Sequence, residues 1–386
     1  MTLHRVALWS AIAAFAALGT AAGTAAAGEI ELPKQLAWTA YGTGSAGYNQ
    51  SVAIGGALKS ELGIDLRVLP GKNDVSRTEP LRQRKVQFSA TGVGASFMAQ
   101  EGAFEFGKKR WGPQRVRMLM ANNGSINLAV AVAADTGVKD YKDLKGKRVA
   151  WVKGSPALNV NVTAYLAFAG LTWDDVEKVE FGGFGDSWKG MVNGQVDAAF
   201  ASTNSGKAYE LEASPRGIVW PPLPADDSEG WSRLNKVAPF FQPNAATVGA
   251  GISKEQPYTG GAYPYPILIA YDDQDETLVY SMTKAMYDLF PAYDGKAPGI
   301  GGWSLERQNF KWVVPFHPGA IAYYKEIEVW NDELQAHNDD LIRRQDVLAK
   351  AWAELEAKGP ADDQWEAEWT QVRRSALEAA GFDTVF

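Results

Sequence analysis

The segment LAWTAYGTGSAG, residues 36–47, passes from an apolar run into a glycine-rich turn. The run predicts a strand over residues 36–41, and the residues after the turn predict a helix that reaches about Leu62. A second strand over Ile64–Leu69, a helix over Asp74–Arg84 and a short strand over Val86–Ala90 follow. Strands that alternate with helices in this way are typical of a parallel sheet with helices on both faces.

The same order returns further along the chain. We predict strands over residues 115–121, 128–134 and 148–152, and then a turn, Gly154-Ser155-Pro156, that opens another helix. A strand over 179–181, a helix over 186–192 and a strand over 196–200 complete the repeat. The sequence therefore predicts an α/β protein of two similar lobes.

The predicted division of the chain is lobe I, residues 28–127 with 266–330; lobe II, residues 128–265; and a C-terminal helical extension, residues 331–386. Crossings between the lobes near Leu128 and Ile267 would act as a double hinge around a cleft. The proline- and glycine-rich stretch 215–266 predicts irregular structure.

The C-terminal tail carries leucine every seventh residue, at Leu334, Leu341, Leu348 and Leu355. After the break at Gly359-Pro360, a second helix is predicted with Trp365 and Trp369 on one face. One interpretation is a helical hairpin packed on a lobe. The other is a homodimer seam, although the second heptad position lacks the apolar residues that a coiled coil needs.

The composition limits the class of protein. The chain has 386 residues, a net charge of −7 and no cysteine. An acidic chain without a basic face argues against a nucleic-acid-binding protein. The lack of cysteine excludes disulfides, thiolate nucleophiles and zinc–thiolate sites. Three histidines, His4, His317 and His337, offer little material for a metal site.

The first 27 residues predict a secretory signal peptide. Arg5 is followed by an alanine-rich apolar run and then Ala25-Ala26-Ala27, which fits an A-x-A cleavage site. An uncleaved membrane anchor is the alternative, but the apolar run is short and weakly hydrophobic for a span of about 20 residues. We therefore expect cleavage near Ala27 and a periplasmic protein.

The turn Gly42–Gly47 matches G-x-G-x-x-G, but a dinucleotide site also needs an acid at the end of the second strand, and that strand ends Val68-Leu69-Pro70-Gly71. We therefore predict no cofactor. Glycines still let the backbone approach a ligand, and a helix N-terminus offers free N–H groups and partial positive charge. The turn is thus either an anion cradle or a structural turn.

The turn Gly154-Ser155-Pro156 stands at the corresponding place in the second lobe, and small polar clusters follow two further strands. Ligands of open α/β sheets bind beyond the carboxyl ends of strands. We expect the two turns to face each other and grip a small anion. The predicted ligand-binding residues are Gly44, Ser45, Ala46, Gly47, Tyr48, Asn49, Thr91, Gly92, Ser155, Pro156, Asn159, Phe184, Thr203 and Asn204.

No catalytic residues and no metal ligands are predicted. The sequence lacks a G-x-S-x-G elbow and a D-x-D-x-D-G calcium loop. His317 lies between prolines in Pro315-Phe316-His317-Pro318-Gly319, which favours a structural role. A periplasmic hydrolase would need a nucleophile–base pair that we do not find.

The chain resembles the TAXI-type solute-binding receptors of tripartite ATP-independent periplasmic (TRAP) transporters. The first glycine turn and the phrase His317-Pro318-Gly319-Ala320 are the more particular matches. The phrases at residues 140–149 (DYKDLKGKRV) and 193–200 (NGQVDAAF) are shared with other two-lobe binding proteins. The resemblance spans most of the chain to about Trp330, and the long tail beyond it is a departure.

The resemblance implies a type II periplasmic-binding-protein clamshell that delivers its ligand to TRAP membrane permease subunits. Relatives are associated with glutamate, 2-oxoglutarate and similar organic acids. Residues Ala90-Thr91-Gly92 stand where relatives commonly have a Gln-Ser-Asp-like segment, so the ligand is left open. The alternative function is a sensor of the same shape that reports a ligand to a membrane kinase.

Overall fold

The computed structural model describes residues 28–386, so the predicted signal peptide lies outside the described residues. Twelve strands are described in this range. They are β1 (Gln35–Tyr41), β2 (Asp65–Gly71), β3 (Phe88–Thr91), β4 (Val116–Ala121), β5 (Leu128–Ala133), β6 (Arg148–Val152), β7 (Glu177–Phe181), β8 (Ala198–Ser202), β9 (Ile218–Val219), β10 (Gln242–Ala246), β11 (Tyr258–Ala262) and β12 (Ile267–Tyr271).

Twelve α-helices accompany these strands within residues 28–386. They are α1 (Ala46–Leu62), α2 (Asp74–Arg82), α3 (Val93–Glu101), α4 (Pro156–Phe168), α5 (Phe184–Val192), α6 (Gly206–Glu212), α7 (Ser228–Val237), α8 (Glu276–Asp288), α9 (Phe290–Tyr293), α10 (Pro318–Glu326), α11 (Asp332–Lys358) and α12 (Trp365–Ala379). The predicted helices and strands of the two repeats are present, with ends that differ by a few residues.

Two five-stranded sheets form the centres of the two lobes. The first has the order β2-β1-β3-β12-β4 and the second β7-β6-β8-β5-β9. In each sheet four strands run in the same direction and one runs antiparallel to them: β12, between β3 and β4, in the first sheet, and β5, between β8 and β9, in the second. The predicted α/β two-lobe clamshell is confirmed.

Burial explains why these strands could be predicted from the sequence. Every residue of β4 (Val116–Ala121) and of β5 (Leu128–Ala133) is buried. Strands covered on both faces are continuous apolar runs rather than alternating patterns. The chain passes between the sheets from β4 to β5 and again from β11 to β12. These two connections lie at our proposed lobe boundaries.

The stretch 215–266 is more regular than we predicted. It contains α7 and a two-stranded antiparallel ribbon, β10 with β11. The prediction failed because Gln-Pro-Asn-Ala-Ala and Tyr-Thr-Gly-Gly-Ala have little intrinsic strand propensity, and the ribbon forms by tertiary context. Helix α7 starts after Asp227, whose side chain accepts a hydrogen bond from the Gly230 N–H.

The C-terminal extension is a helical hairpin of α11 and α12, as predicted. Leu348, Trp352 and Leu355 on α11 pack against Trp365 and Trp369 on α12. The Trp369 indole donates to the Gly102 carbonyl at the end of α3, 2.7 Å away. The apolar stripe is thus covered within the chain, which favours the hairpin interpretation over the dimer seam.

Buried charges join this hairpin to lobe I. Glu101 at the end of α3 is fully buried and pairs with Arg344 at 2.7 Å and with Arg373 at 2.9 Å. One arginine comes from each helix of the hairpin. No helix within residues 28–386 has the length and apolar character needed to cross a membrane.

Candidate functional site

A cavity lies between the two lobes. Lobe I contributes Tyr41, Ser45, Arg77 and Gly92, and lobe II contributes wall residues that include Asn161 and Phe184. The space enclosed by all lining residues, its mouth included, is about 450 Å³. Within this space, the centre of a water molecule can occupy only about 30 Å³. Since one water needs roughly 10–15 Å³ by this measure, the lobes are closed on each other.

The cavity lies where the fold predicts it, at the carboxyl ends of the parallel strands. Strand β1 ends at Tyr41, and the chain turns through Gly44, which has a φ of +85° that favours glycine. Ser45 then caps α1, accepting a hydrogen bond from the Tyr48 N–H at 3.2 Å. Gly92 stands at the N-terminus of α3, where no side chain caps the helix.

Arg77 is the only charged residue that lines the cavity within the described part of the chain. It lies on α2, its side chain is fully buried, and its Nη2 donates to Asp74 at 2.7 Å. Its guanidinium carbon is 3.7 Å from the centre of the Tyr41 ring. Nε and Nη1 have no hydrogen-bond partner among residues 28–386. A buried guanidinium with two unused donors can donate hydrogen bonds to an anion.

Asp74 connects the two lobes. One carboxylate oxygen accepts from Arg77 and from the Tyr41 hydroxyl, and the other accepts from the Ala157 N–H at 2.8 Å. The Tyr41 hydroxyl is also 2.9 Å from the Ser155 hydroxyl. Burial, with the nearby Asp74 charge as the second cause, raises the pKa of Tyr41 well above its usual value. Tyr41 therefore stays protonated and donates to Asp74.

These contacts correct our picture of the second glycine turn. The N-terminus of α4 does face the same cavity as the first turn, since Ala157 and Leu158 line it together with Ser45. Its free backbone group, however, is already bonded to the Asp74 carboxylate from the other lobe. An internal acid thus stands where we expected the ligand. The N-termini of α1 and α3 remain directed at the cavity.

Aromatic side chains form much of the wall: Tyr41, Phe184, Phe200, Tyr263 and Tyr265. Asn161 on α4 is fully buried and donates from its amide nitrogen to the Tyr263 hydroxyl at 2.7 Å. Its amide oxygen has no partner in the described range. Burial raises the pKa values of Tyr263 and Tyr265, so both hydroxyls are neutral. Apart from Arg77, the wall is apolar with a few neutral hydrogen-bonding groups.

Of the predicted site residues, Ser45, Gly92 and Phe184 line the cavity. Ser155 lies just behind the wall, hydrogen-bonded to Tyr41. Gly47 packs so closely beneath Tyr265 that a Cβ there would lie 3.1 Å from the tyrosine hydroxyl. The predicted residues that do not line the cavity are Gly44, Ala46, Gly47, Tyr48, Asn49, Thr91, Ser155, Pro156, Asn159, Thr203 and Asn204.

Several of these residues have internal partners. The Asn159 amide accepts from the Val152 N–H and donates to the Val152 carbonyl, at 2.9 and 3.0 Å. Thr203 accepts from the Asn127 N–H and donates to the Val248 carbonyl. The Asn204 amide donates to the Pro298 carbonyl of lobe I at 2.7 Å, so it joins the lobes instead of lining the cavity.

Sequence reasoning missed Arg77, Asp74 and the tyrosines of residues 258–265. Asp74 and Arg77 lie three apart on a predicted helix, where such a pair is usually a solvated ion pair. Their position in the chain was the available signal for a site: both residues follow the carboxyl end of β2, at the same edge of the sheet as Ser45. Nothing in the sequence pattern indicated that Tyr263 and Tyr265 return to the cavity from the far end of lobe II.

Within residues 28–386 no cluster of three histidine, aspartate or glutamate side chains could hold a metal ion. His317 caps α10, its Nδ1 accepting from the Gly319 N–H at 3.1 Å. It does not line the cavity.

Comparison with known proteins gives a family. The model of the NMT1-like family matches residues 39–327. Among solved structures, the alkanesulfonate-binding protein of Xanthomonas axonopodis pv. citri, bound to MOPS, shares 16% identity over 86% of this chain and 96% of its own, with a TM-score of 0.44. The aliphatic sulphonate-binding protein of Escherichia coli shares 14% over 92% and 90%, with a TM-score of 0.38.

A periplasmic binding protein from Brucella ovis with glutathione bound shares 12% identity over 67% of this chain and 68% of that protein, with a TM-score of 0.43. At these identities and TM-scores the likeness supports no conclusion about what this chain binds.

Proposed function

The chain belongs to the NMT1-like family, and from that premise and the cavity between its lobes we propose that it is a periplasmic receptor for a small anionic organic solute. It captures the solute by closing its two lobes, without chemistry. It then delivers the solute to a membrane transporter, which by the sequence resemblance is a TRAP-type permease.

The observation that carries this proposal is the buried Arg77 guanidinium. Arg77 lines the inter-lobe cavity, and two of its nitrogens, Nε and Nη1, are buried and lack partners among the described residues. A buried donor left without an acceptor costs about 1–3 kcal/mol, more if it is charged. A carboxylate or sulfonate that accepts from both nitrogens removes this cost and adds charge-assisted hydrogen bonds.

The surroundings favour an anion even though Asp74 already balances the Arg77 charge. The N-termini of α1 and α3 direct partial positive charge at the cavity. Asp74 is itself held by the α4 N-terminus and by Tyr41. With Asp74 engaged in this way, the two helix N-termini are the further groups that favour an anion in the cavity.

The closed lobes supply a means of capture. They touch on one side of the cleft where the Asn73 amide donates to the Lys153 carbonyl at 3.0 Å and the Phe184 N–H donates to the Lys72 carbonyl at 3.1 Å. They touch on the other side through Asn204 and Pro298. A solute that contacts both lobes favours this closed form over an open one. Micromolar affinity corresponds to about 8 kcal/mol.

Calorimetry with a panel of small carboxylates and sulfonates tests the proposal, with glutamate and 2-oxoglutarate included. For the ligand that binds, Arg77→Met is expected to weaken binding about 100-fold or more, because it removes two charge-assisted hydrogen bonds. Arg77→Lys keeps the charge and is expected to lose about tenfold.

Arg148→Met is the matched control, since Arg148 also pairs with an aspartate, Asp197 at 2.6 Å, but lies outside the cavity. It should lower stability and leave affinity unchanged. Ligand affinity of Arg77→Met equal to the wild-type value, or the absence of binding by every anion, would contradict the proposal.

Uptake measurements test the partner. Membrane vesicles of the source cell, supplied with the purified protein and labelled ligand, should accumulate ligand when an ion gradient is imposed, as a TRAP transporter requires. Uptake that depends on ATP and ignores the gradient would assign the receptor to an ABC transporter instead.

A further inference from the structure

This inference rests on the proposed function and narrows the ligand class. The geometry points to a monoanion with a short apolar body that carries neither an ammonium group nor a second acidic group. Three properties of the cavity lead to this class. Asp74 is already hydrogen-bonded, Arg77 is the one charged lining residue in the described part of the chain, and the rest of the wall is largely apolar.

An amino acid would need an acid to receive its ammonium group. The nearest acid to Arg77 is Asp74, which already accepts hydrogen bonds from Arg77, Tyr41 and the Ala157 N–H and does not line the cavity. No aspartate or glutamate lines the cavity within residues 28–386. An ammonium group placed there would lose its hydration without gaining an anionic partner.

A dicarboxylate would need a second cation. Among the lining residues of the described chain Arg77 alone is charged. Lys207, which approaches the turn at Gly44, is already bound to both carboxylate oxygens of Glu210, at 2.7 and 2.8 Å. One anionic group of such a ligand would pair with Arg77, and the other would be buried against aromatic rings.

The wall instead suits a short hydrocarbon chain. Leu128, Leu158, Phe184 and Phe200 offer apolar surface, and Ser45, Ser202 and Ser205 are neutral. The enclosed space of about 450 Å³, its mouth included, is towards the small end of ligand pockets, so the body of the ligand is short. The unpartnered Asn161 amide oxygen can accept from one hydroxyl on it.

Four-carbon acids test this class because they share the chain length and differ in the polar or charged groups that the chain carries. Butyrate and 2-hydroxybutyrate carry one negative charge, succinate carries two, and 2-aminobutyrate adds an ammonium group. Calorimetry is expected to give affinities for the first two at least tenfold higher than for the last two. Succinate or 2-aminobutyrate binding as tightly as butyrate would overturn the inference.

The outcomes separate this inference from the proposed function. If succinate, glutamate or 2-oxoglutarate binds best, and Arg77→Met abolishes that binding, the anion receptor stands and the monoanion class is wrong. If no acid in either panel binds, both fail.

Asn161→Asp is a converse test, because it places a carboxylate at the wall without touching Arg77 or Asp74. The variant is expected to reverse the preference, with 2-aminobutyrate gaining at least tenfold relative to butyrate. Asn161→Ser, which removes the amide without adding charge, is the control and should keep the wild-type order. A folded Asn161→Asp variant that keeps the wild-type order would overturn the role given to this wall.

Discussion

At the scale of single residues, Tyr41 joins the anion site to the closure of the lobes. Its ring lies under the Arg77 guanidinium, and its hydroxyl contacts Asp74 of its own lobe and Ser155 of the other. One side chain therefore both orients the charged pair and contacts the far lobe. Its effects on binding are separable, since the ring and the hydroxyl have different partners.

Tyr41→Phe keeps the ring and removes the hydroxyl. We expect ligand affinity to fall about five- to twentyfold, because buried Asp74 and Ser155 each lose a partner and such a loss costs about 1–3 kcal/mol. Calorimetry measures the affinity, and thermal unfolding reports whether the fold is retained.

Tyr271→Phe is the control for this experiment. The Tyr271 hydroxyl is also buried and bonded, to the Gln114 amide at 2.5 Å, but it lies outside the cavity. Its removal should leave affinity unchanged. Equal losses in the two variants would mean that Tyr41 acts through stability alone.

The candidate site was predictable where backbone position determines it. Ser45 and Gly92 follow strand ends, and their place at the cavity edge results from strand topology. Arg77 and Tyr263 were not predictable, because their role comes from burial and from contacts with residues far away in sequence. A helix that exposes Arg77 and one that buries it have the same local pattern.

At the scale of secondary-structure elements, His317 at the start of α10 makes the stability of the fold depend on pH. Burial, with the nearby Arg117 charge as a second cause, lowers the pKa of His317 from 6.5 to about 4. Between these values the unfolded chain holds a proton at this residue and the native protein does not. Unfolding then takes up a proton, so stability rises with pH through this window and falls on acidification.

We therefore expect His317 to account for roughly 3 kcal/mol of the stability lost between pH 7 and pH 4. Asn is also a favourable N-cap residue. His317→Asn should retain the cap and flatten the pH dependence by about that amount. Chemical denaturation at several pH values measures the difference, and parallel curves for the two proteins would contradict the assignment.

Glu101 determines how the C-terminal hairpin is attached. It is buried between Arg344 of α11 and Arg373 of α12. Glu101→Gln leaves two buried guanidinium groups without a counter-charge, and breaking a buried pair in this way costs about 3–5 kcal/mol. Hydrogen exchange should show the loss as reduced protection across residues 332–379.

Glu368→Gln is the matched control, because Glu368 pairs with the exposed Lys358 on the same hairpin. Exposed pairs contribute about 0–1 kcal/mol, so protection should be nearly unchanged. Loss of protection of the same size in both variants would show that the buried cluster has no special role.

The elements themselves were predictable to different degrees. The buried strands and the hairpin were predicted because apolar runs and heptad spacing are local signals. The ribbon of β10 and β11 was not, since its residues include proline and paired glycines and its pairing depends on the lobe around it. The Glu101 cluster joins residues about 240 and more positions apart, and nothing in the local sequence indicates it.

At the scale of the whole molecule, the repeated strand order of the two sheets brings equivalent edges together across one cleft. Residues 72–75 of lobe I meet residues 153–157 and 183–184 of lobe II along one side. With Asp74 bonded across the cleft, these contacts allow the lobes to close without a ligand. Release of a ligand then requires the same contacts to break.

A disulfide across this side tests whether opening is required. A Cβ at Gly183 would lie 3.3 Å from the Cβ of Lys72, close to the 3.5–4.5 Å of natural disulfides. The chain has no other cysteine, so Lys72→Cys with Gly183→Cys gives one defined pair. We expect the oxidised double variant to exclude added ligand, to retain ligand loaded before oxidation, and to exchange it normally once reduced.

The two single variants control for the substitutions, and stopped-flow exchange of the identified ligand supplies the rates. Equal exchange rates in the oxidised and reduced forms would mean that the ligand does not enter between these lobes, since a covalent bond at the cleft edge would then have no effect on its path.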